Sequence, residues 1–376
     1  MKVLVAMNSF KGSLSSAKAG EAVSEGIRRV QPDAQIEIKL LADGGEGTTD
    51  ALIQALEAER IGLKVTGPLG NQVKVYYGYN ADKKTAYMEI AMAAGYSLVR
   101  EEDRNPMTAT TYGVGEMICD AIKRGCRNFI VGVGGSATND GGIGMLQALG
   151  YRFYNFLGNP VGQGGQALGK VDYIDSEEVL PELAECSFTI ACDVENTLCG
   201  RNGATYIYGP QKGIETEHMK HQFDAGMMHF AQTVGDFIGT ECENIPGSGA
   251  GGGLGFAFFS FLHAKREYGT EFIIRETKIE ESMEHCDYII TGEGCLDAQS
   301  IMGKAPIGIA HLAQKYKAKV IAFTGTVTDE TKQCHEYGVD AFFPIVRDIT
   351  TKKEAMKEEK AYANLADTAE EVFRLL

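Results

Sequence analysis

The chain has 376 residues, 44% of them apolar, and carries a formal net charge of −15. That length exceeds what one hydrophobic core usually serves, so two domains are expected. The acidic balance excludes an extended nucleic-acid or anionic-membrane surface, which needs clustered Lys and Arg, so any phosphate site must be local.

Nine scattered cysteines with no C-x-x-C pair read as reduced thiols in a cytoplasmic protein, not as a disulfide or zinc frame. The apolar run at the N-terminus is too short for a signal peptide, and that over residues 254–264 is too short to cross a bilayer. No membrane partner is expected.

Residues 2–7 predict a buried strand, and the loop Asn8-Ser9-Phe10-Lys11-Gly12-Ser13 leads into a helix ending at Val30. Lys11 beside Gly12 can meet a phosphate or a carboxylate without crowding from its neighbour. A second strand over 36–41 opens into a glycine-rich loop where Asp43 and Glu46 stand close together, and a helix over 50–57 follows. Such a turn can bring both acids to one divalent cation, or to a hydroxyl that needs a base. Strands over 61–65, 72–79 and 85–92 then read as an antiparallel meander, which sets a domain boundary near Pro68.

After a helix over 110–124, the stretch 128–150 runs from an apolar strand through a polar elbow into a helix. Gly132, Gly134, Gly135, Gly141 and Gly142 surround Ser136, Thr138, Asn139 and Asp140 there. Bare backbone N–H groups in such a turn suit an anion, and Asp140 suggests a metal. A strand over 187–191 places Asp193 at its carboxyl end, and Lys212-Gly213 repeats the lysine-glycine theme. A helix spans 216–238, and the loop PGSGAGGGLG, holding Gly251 and Gly252, precedes another helix. The C-terminal part returns to strand-helix alternation, with strands over 288–291, 319–323 and 341–344. The first of them ends in a loop carrying Glu293, Asp297, Gln299 and Lys304. Lysines, carboxylates and amides in glycine-bearing loops at strand ends are the inventory of phosphoryl transfer.

These residues resemble the glycerate kinase family of bacterial type over almost the whole chain. The motifs are NSFKGS from Asn8, LADGGEGT from Leu41, TYGVGEMI from Thr111, GVGGSATNDGG from Gly132, ACDVENTLCG from Ala191, GPQKG from Gly209, and TGEGCLDAQS with GKAP from Thr291. The resemblance implies ATP- and Mg²⁺-dependent phosphorylation of D-glycerate, to 2-phosphoglycerate in the first place and 3-phosphoglycerate in the second. It also implies an active site in a cleft between domains. Three positions depart from the family pattern: Cys295 replaces an arginine, Thr197 a proline and Gly251 an alanine.

The fold expected is α/β. A parallel-sheet domain is built from both chain ends, residues 1–67 plus 285–376, with a mixed α/β domain, residues 68–284, inserted between them. Asp193 is the candidate base and Lys11 steadies the transferring group; Asp43, Glu46, Glu293 and Asp297 are candidates for Mg²⁺. Gly134, Gly135, Ser136, Thr138, Asn139, Lys212, Gly251 and Gly252 are assigned to the nucleotide, although the elbow suits the glycerate carboxylate equally. Ser9, Asn196, Gln299 and Lys304 are assigned to the substrate, in a monomer or homodimer. Two rival readings are a nicotinamide-dependent hydroxy-acid dehydrogenase, whose ribose-binding acid this sequence lacks, and a non-catalytic sensor of glycerate or nucleotide.

Overall fold

The computed structural model describes residues 1–297, 300 and 304–376. Among the described residues there are thirteen strands: β1 (Lys2–Met7), β2 (Gln35–Ile38), β3 (Glu59–Thr66), β4 (Gln72–Asn80), β5 (Thr85–Glu89), β6 (Asn128–Gly132), β7 (Arg152–Tyr154), β8 (Tyr173–Asp175), β9 (Ser187–Ala191), β10 (Lys265–Glu267), β11 (Tyr288–Leu296), β12 (Lys319–Val327) and β13 (Ala341–Pro344). They fall into two compact units, Met1–Glu57 with Gly269–Leu376, and Ala58–Tyr268.

The first unit holds a five-stranded, wholly parallel sheet in the order β13-β12-β11-β1-β2. A parallel sheet is covered on both faces, which is why β1 reads as a continuous apolar run. Val3, Val5 and Met7 join the core beneath the helices Ser16–Val30 and Glu358–Phe373. Leu4 and Ala6 join the opposite core, with the helices Ile279–Met283 and Ala305–Ala313. The chain leaves β1 toward β2 on one side, while β11, β12 and β13 step away on the other. The connections therefore diverge between β1 and β11, the place where open α/β sheets keep a crevice at the carboxyl ends of their strands.

The second unit is built on a six-stranded sheet in the order β10-β9-β6-β5-β4-β3. β3, β4 and β5 pair antiparallel, as the meander predicts, but β5 also pairs in parallel with β6 along its other edge. The sheet is therefore mixed. β7 and β8 pair antiparallel as a separate two-stranded sheet, and the sequence pattern predicts neither strand.

The units divide at other residues than the sequence suggests. β3 pairs with β4 from Glu59–Tyr79 to Thr66–Gln72, so the first division falls ahead of it, not near Pro68. The helices Gly269–Glu276 and Ile279–Met283 belong to the first unit, which moves the second division from residue 285 to Tyr268 and Gly269.

Gly26 allows the first and last long helices of the first unit to touch. A Cβ there would lie 2.1 Å from the Ala366 carbonyl oxygen and 2.9 Å from the Ala369 Cβ. Gly26→Val is expected to destabilise that unit by about 1–3 kcal/mol, the usual cost of overpacking. A urea titration would read this as a lower midpoint, and an unchanged midpoint would contradict the close approach.

Candidate active site

In the first unit, β1 and β11 lie side by side, and the Asn8 N–H donates to the Gly292 carbonyl, 2.9 Å. The loops that follow them therefore start together. Ser16 draws in the loop after β2, since its hydroxyl donates to the Met7 carbonyl (2.5 Å) and accepts from the Leu41 N–H (3.1 Å). Lys11, Asp43 and Glu293 are brought to one place by these contacts.

Lys11 Nζ lies 3.1 Å from Asp43 Oδ2, and Asp43 Oδ1 accepts from the Gly45 N–H at 3.1 Å. Burial pushes the Asp43 carboxyl up, but Lys11, Gly45 and Lys304 outweigh it and hold the group below its ordinary range. Asp43, above all, raises the Lys11 ammonium against the opposing effect of burial, with smaller contributions from Glu293 and the exposed Glu46. Glu293 behaves otherwise. Burial, with Asp43 beside it, pushes its carboxyl up to about 7, although Ser300, Lys304 and Lys11 pull the other way. Asp297 Oδ1 accepts from the Ser300 N–H at 3.0 Å.

Glu293 is 6% exposed and its Oε1 has no hydrogen-bond partner among the described residues; the same holds for the Ser9 hydroxyl, 4% exposed. Both line a cavity of about 720 Å³ with Lys11, Ser13, Asp297 and Lys304. No group of three or more His, Cys, Asp and Glu side chains that could cage a metal occurs among the described residues. Mg²⁺ commonly takes only one or two carboxylates and completes its shell with water and phosphate. The coupled pair Asp43 and Glu293, with its unpartnered oxygen, fits that demand. Gln299, assigned to the substrate from sequence, lies outside the described residues.

In the second unit the elbow between β6 and the helix Ile143–Ala148 closes around Lys212. This lysine is 2% exposed and donates to the Ser136 hydroxyl (2.9 Å) and the Thr138 carbonyl (2.6 Å). Burial lowers its ammonium to about 7, with Asp140 opposing. Gly252, at φ +73°, packs so closely that a Cβ would lie 2.1 Å from the Thr138 carbonyl and 2.9 Å from Lys212 Nζ. Neighbouring Gly251 also has a positive φ, while Gly134 and Gly135 form the less buried lip of the elbow. Thr138 Oγ1 and Asn139 Oδ1 are buried without partners among the described residues.

Asp140 is not disposed as a cation ligand. Its Oδ2 accepts from the Thr111 N–H and hydroxyl, both at 2.9 Å, and its Oδ1 from the Gly142 N–H at 3.2 Å. Burial pushes this carboxyl up against those bonds, and the residue staples two helix starts. Asn196 is similarly engaged, because its Oδ1 accepts from the Tyr208 hydroxyl (2.6 Å) and its Nδ2 donates to the Asn202 carbonyl (2.7 Å). Both ends of its amide hold a loop together, which disfavours the substrate role given to it from sequence. Asp193 follows β9, whose end lies level with that of β6 through the Gly132–Ala191 pair. Ser13, whose hydroxyl is also buried without a partner among the described residues, lines the first-unit cavity but drew no assignment. Its place in NSFKGS, two residues from Lys11, was the available signal.

Burying Lys212 ties stability to pH. The unfolded chain holds this proton up to about 10.5 and the folded chain only up to about 7, so its contribution rises with pH between those values. Thermal melts from pH 7 to 9 should show a shallower rise, or a steeper fall, for Lys212→Met than for the parent chain. Identical pH slopes would contradict the sealed lysine.

Comparison with known proteins agrees with this architecture. The model of the glycerate kinase family matches residues 3–376. Glycerate 2-kinase of Escherichia coli is 42% identical over 365 residues, 97% of this chain and 95% of that protein. Glycerate kinase of Halalkalibacterium halodurans is 42% identical over 369 residues, 97% of each. A crystal structure from Salmonella typhimurium, assigned as glycerate kinase 2, superposes with a TM-score of 0.80 at 37% identity, covering 100% of this chain and 98% of that one. Family model, relatives and fold agree from end to end, and the chain is an enzyme that belongs to the glycerate kinase family.

Proposed function

We propose that the chain transfers the γ-phosphoryl group of ATP to the 2-hydroxyl of D-glycerate, giving 2-phosphoglycerate and ADP. The observation that carries this reading is the first-unit cluster, where Lys11 meets the carboxylates of Asp43 and Glu293, the latter with an oxygen that has no partner among the described residues, at the divergence of a parallel sheet. Lysine and carboxylate at such a place suit a polyphosphate with its cation. The names of the relatives favour glycerate as acceptor, and that of the Escherichia coli protein favours the 2-hydroxyl. The nine free cysteines suit a reducing, cytoplasmic setting.

The acceptor oxygen bonds to the γ-phosphorus as the bond to the β,γ-bridging oxygen breaks and ADP departs. Asp193 takes the hydroxyl proton. Lys11 exchanges its pairing with Asp43 for the transferring oxygens, where charge accumulates. Asp43 and Glu293 would hold Mg²⁺, which when bound neutralises phosphate charge. Lys212, poised near neutrality, gains its proton when a carboxylate anion enters the elbow.

ADP release coupled to a reporter should require D-glycerate and Mg-ATP together. Enolase without a mutase should then consume the product directly; product inert to enolase alone would identify the 3-phosphate. Asp193→Asn should lower kcat by about 10² with the fold intact, and Lys11→Ala by a similar factor. If Asp193 and Lys11 serve one transfer, the double variant should lose far less than the product of the two single losses. Simple multiplicative losses would separate the two residues into independent roles.

A further inference from the structure

The sequence leaves the elbow around Ser136 open to the nucleotide or to the glycerate carboxylate, and the cavity of the first unit bears on that choice. Its volume, about 720 Å³, falls in the range of sites that enclose a cofactor-sized ligand. The lining is divided in character. Lys11, Ser13 and Lys304, with Lys352, supply cations and a hydroxyl, while Ile345, Val346, Met356 and Ala361 supply an apolar wall. Three lysines gather in this one cavity although the chain carries a net charge of −15. Three buried oxygens without a partner among the described residues, on Ser9, Ser13 and Glu293, belong to the same lining.

The apolar wall stands next to the lysines. Met356 Cε would lie 3.1 Å from a Cβ on Gly12, so it covers the turn that carries Lys11. Ile345 and Ala361 share the core cluster of Phe10 and Leu14, which fixes that wall to the same loop. Asn364 completes the lining with a carboxamide, a donor and an acceptor side by side. A polyanion with a flat, largely apolar head carrying a polar edge fits this arrangement. The elbow, by contrast, is closed on Lys212 by hydrogen bonds to Ser136 and Thr138 and by the packing of Gly252. That suits a single small anionic group.

We infer that the first-unit cavity is the nucleotide site, with the polyphosphate at Lys11, Ser13 and Lys304 and a purine base against Val346 and Met356, read along its edge by Asn364. This inference rests on the kinase reading above and gives the two halves of the reaction separate homes: nucleotide in the first unit, the carboxylate of the acceptor at the elbow of the second.

Calorimetric titration of the full chain with Mg-ADP and with inorganic tripolyphosphate tests it. Val346 is 36% exposed, so Val346→Trp can fill the apolar end without entering the core. The variant should bind Mg-ADP tenfold or more weakly and tripolyphosphate within twofold of the parent, with an unchanged circular dichroism spectrum. Asn364→Leu, the milder change if the tryptophan variant misfolds, should weaken Mg-ADP at least threefold and leave tripolyphosphate unaltered. Lys212→Met should keep parental affinity for Mg-ADP. Parental Mg-ADP affinity in the Val346 and Asn364 variants, equal loss of both ligands in a folded variant, or loss confined to Lys212→Met would overturn the assignment. A chain that turns over D-glycerate yet shows any of these patterns loses only this inference. One that binds Mg-ADP as expected without turnover loses only the kinase reading.

Discussion

In a parallel sheet the connections of two neighbouring strands can leave in one direction or in opposite ones, and those of β1 and β11 leave in opposite ones. The chain passes from β1 to β2 on one side and from β11 to β12 on the other, which is the divergence at which open α/β sheets keep a crevice beyond the carboxyl ends of their strands. Every reactive group of the first unit depends on that divergence. Lys11 stands there because its loop follows β1, Glu293 because it lies on β11, and Asp43 because the chain returns from β2. No residue of the three could be moved to another strand without losing the other two.

Water exclusion then sorts these charges. The same physical effect, burial, raises Glu293 and lowers Lys212, and both arrive at about 7. Asp43 escapes this fate because Lys11, the Gly45 N–H and Lys304 compensate it. Groups held at the midpoint of titration change protonation readily when a charged ligand approaches, whereas a paired group such as Asp43 is already committed. The acidic surface of the chain makes local lysines more telling, since anions are repelled everywhere except where such residues are concentrated.

What could be read from the sequence was local. The strand-end loops with Lys11, Asp43 and Glu293 announced themselves because glycine beside a charged residue is a signal within a few positions, and the apolar run of β1 signalled a buried strand. What could not be read depended on partners far along the chain. Asp140 looked like a metal ligand because nothing nearby shows that Thr111 claims its carboxylate. Asn196 looked available until Tyr208 and Asn202 were placed against it. The wall of Ile345, Val346 and Met356 belongs to no motif, since a cavity surface requires shape rather than identity. β10 went unread because Lys265, Arg266 and Glu267 carry the charges of a protected sheet edge and not the apolar pattern of a strand.

The pairing of Val3 with Tyr288 sets an order on biosynthesis. The ribosome makes β1 before the second unit, yet its β11 neighbour emerges only after the whole of the second unit has been translated. The inserted unit can therefore mature on its own while the leading segment waits, apolar on both faces, for its far end. Contacts so distant in sequence also slow refolding, because the chain must close a very long loop before they form. The nascent protein thus leaves an apolar strand without its partner while the second unit is made, and a chaperone holding that segment would act during this interval.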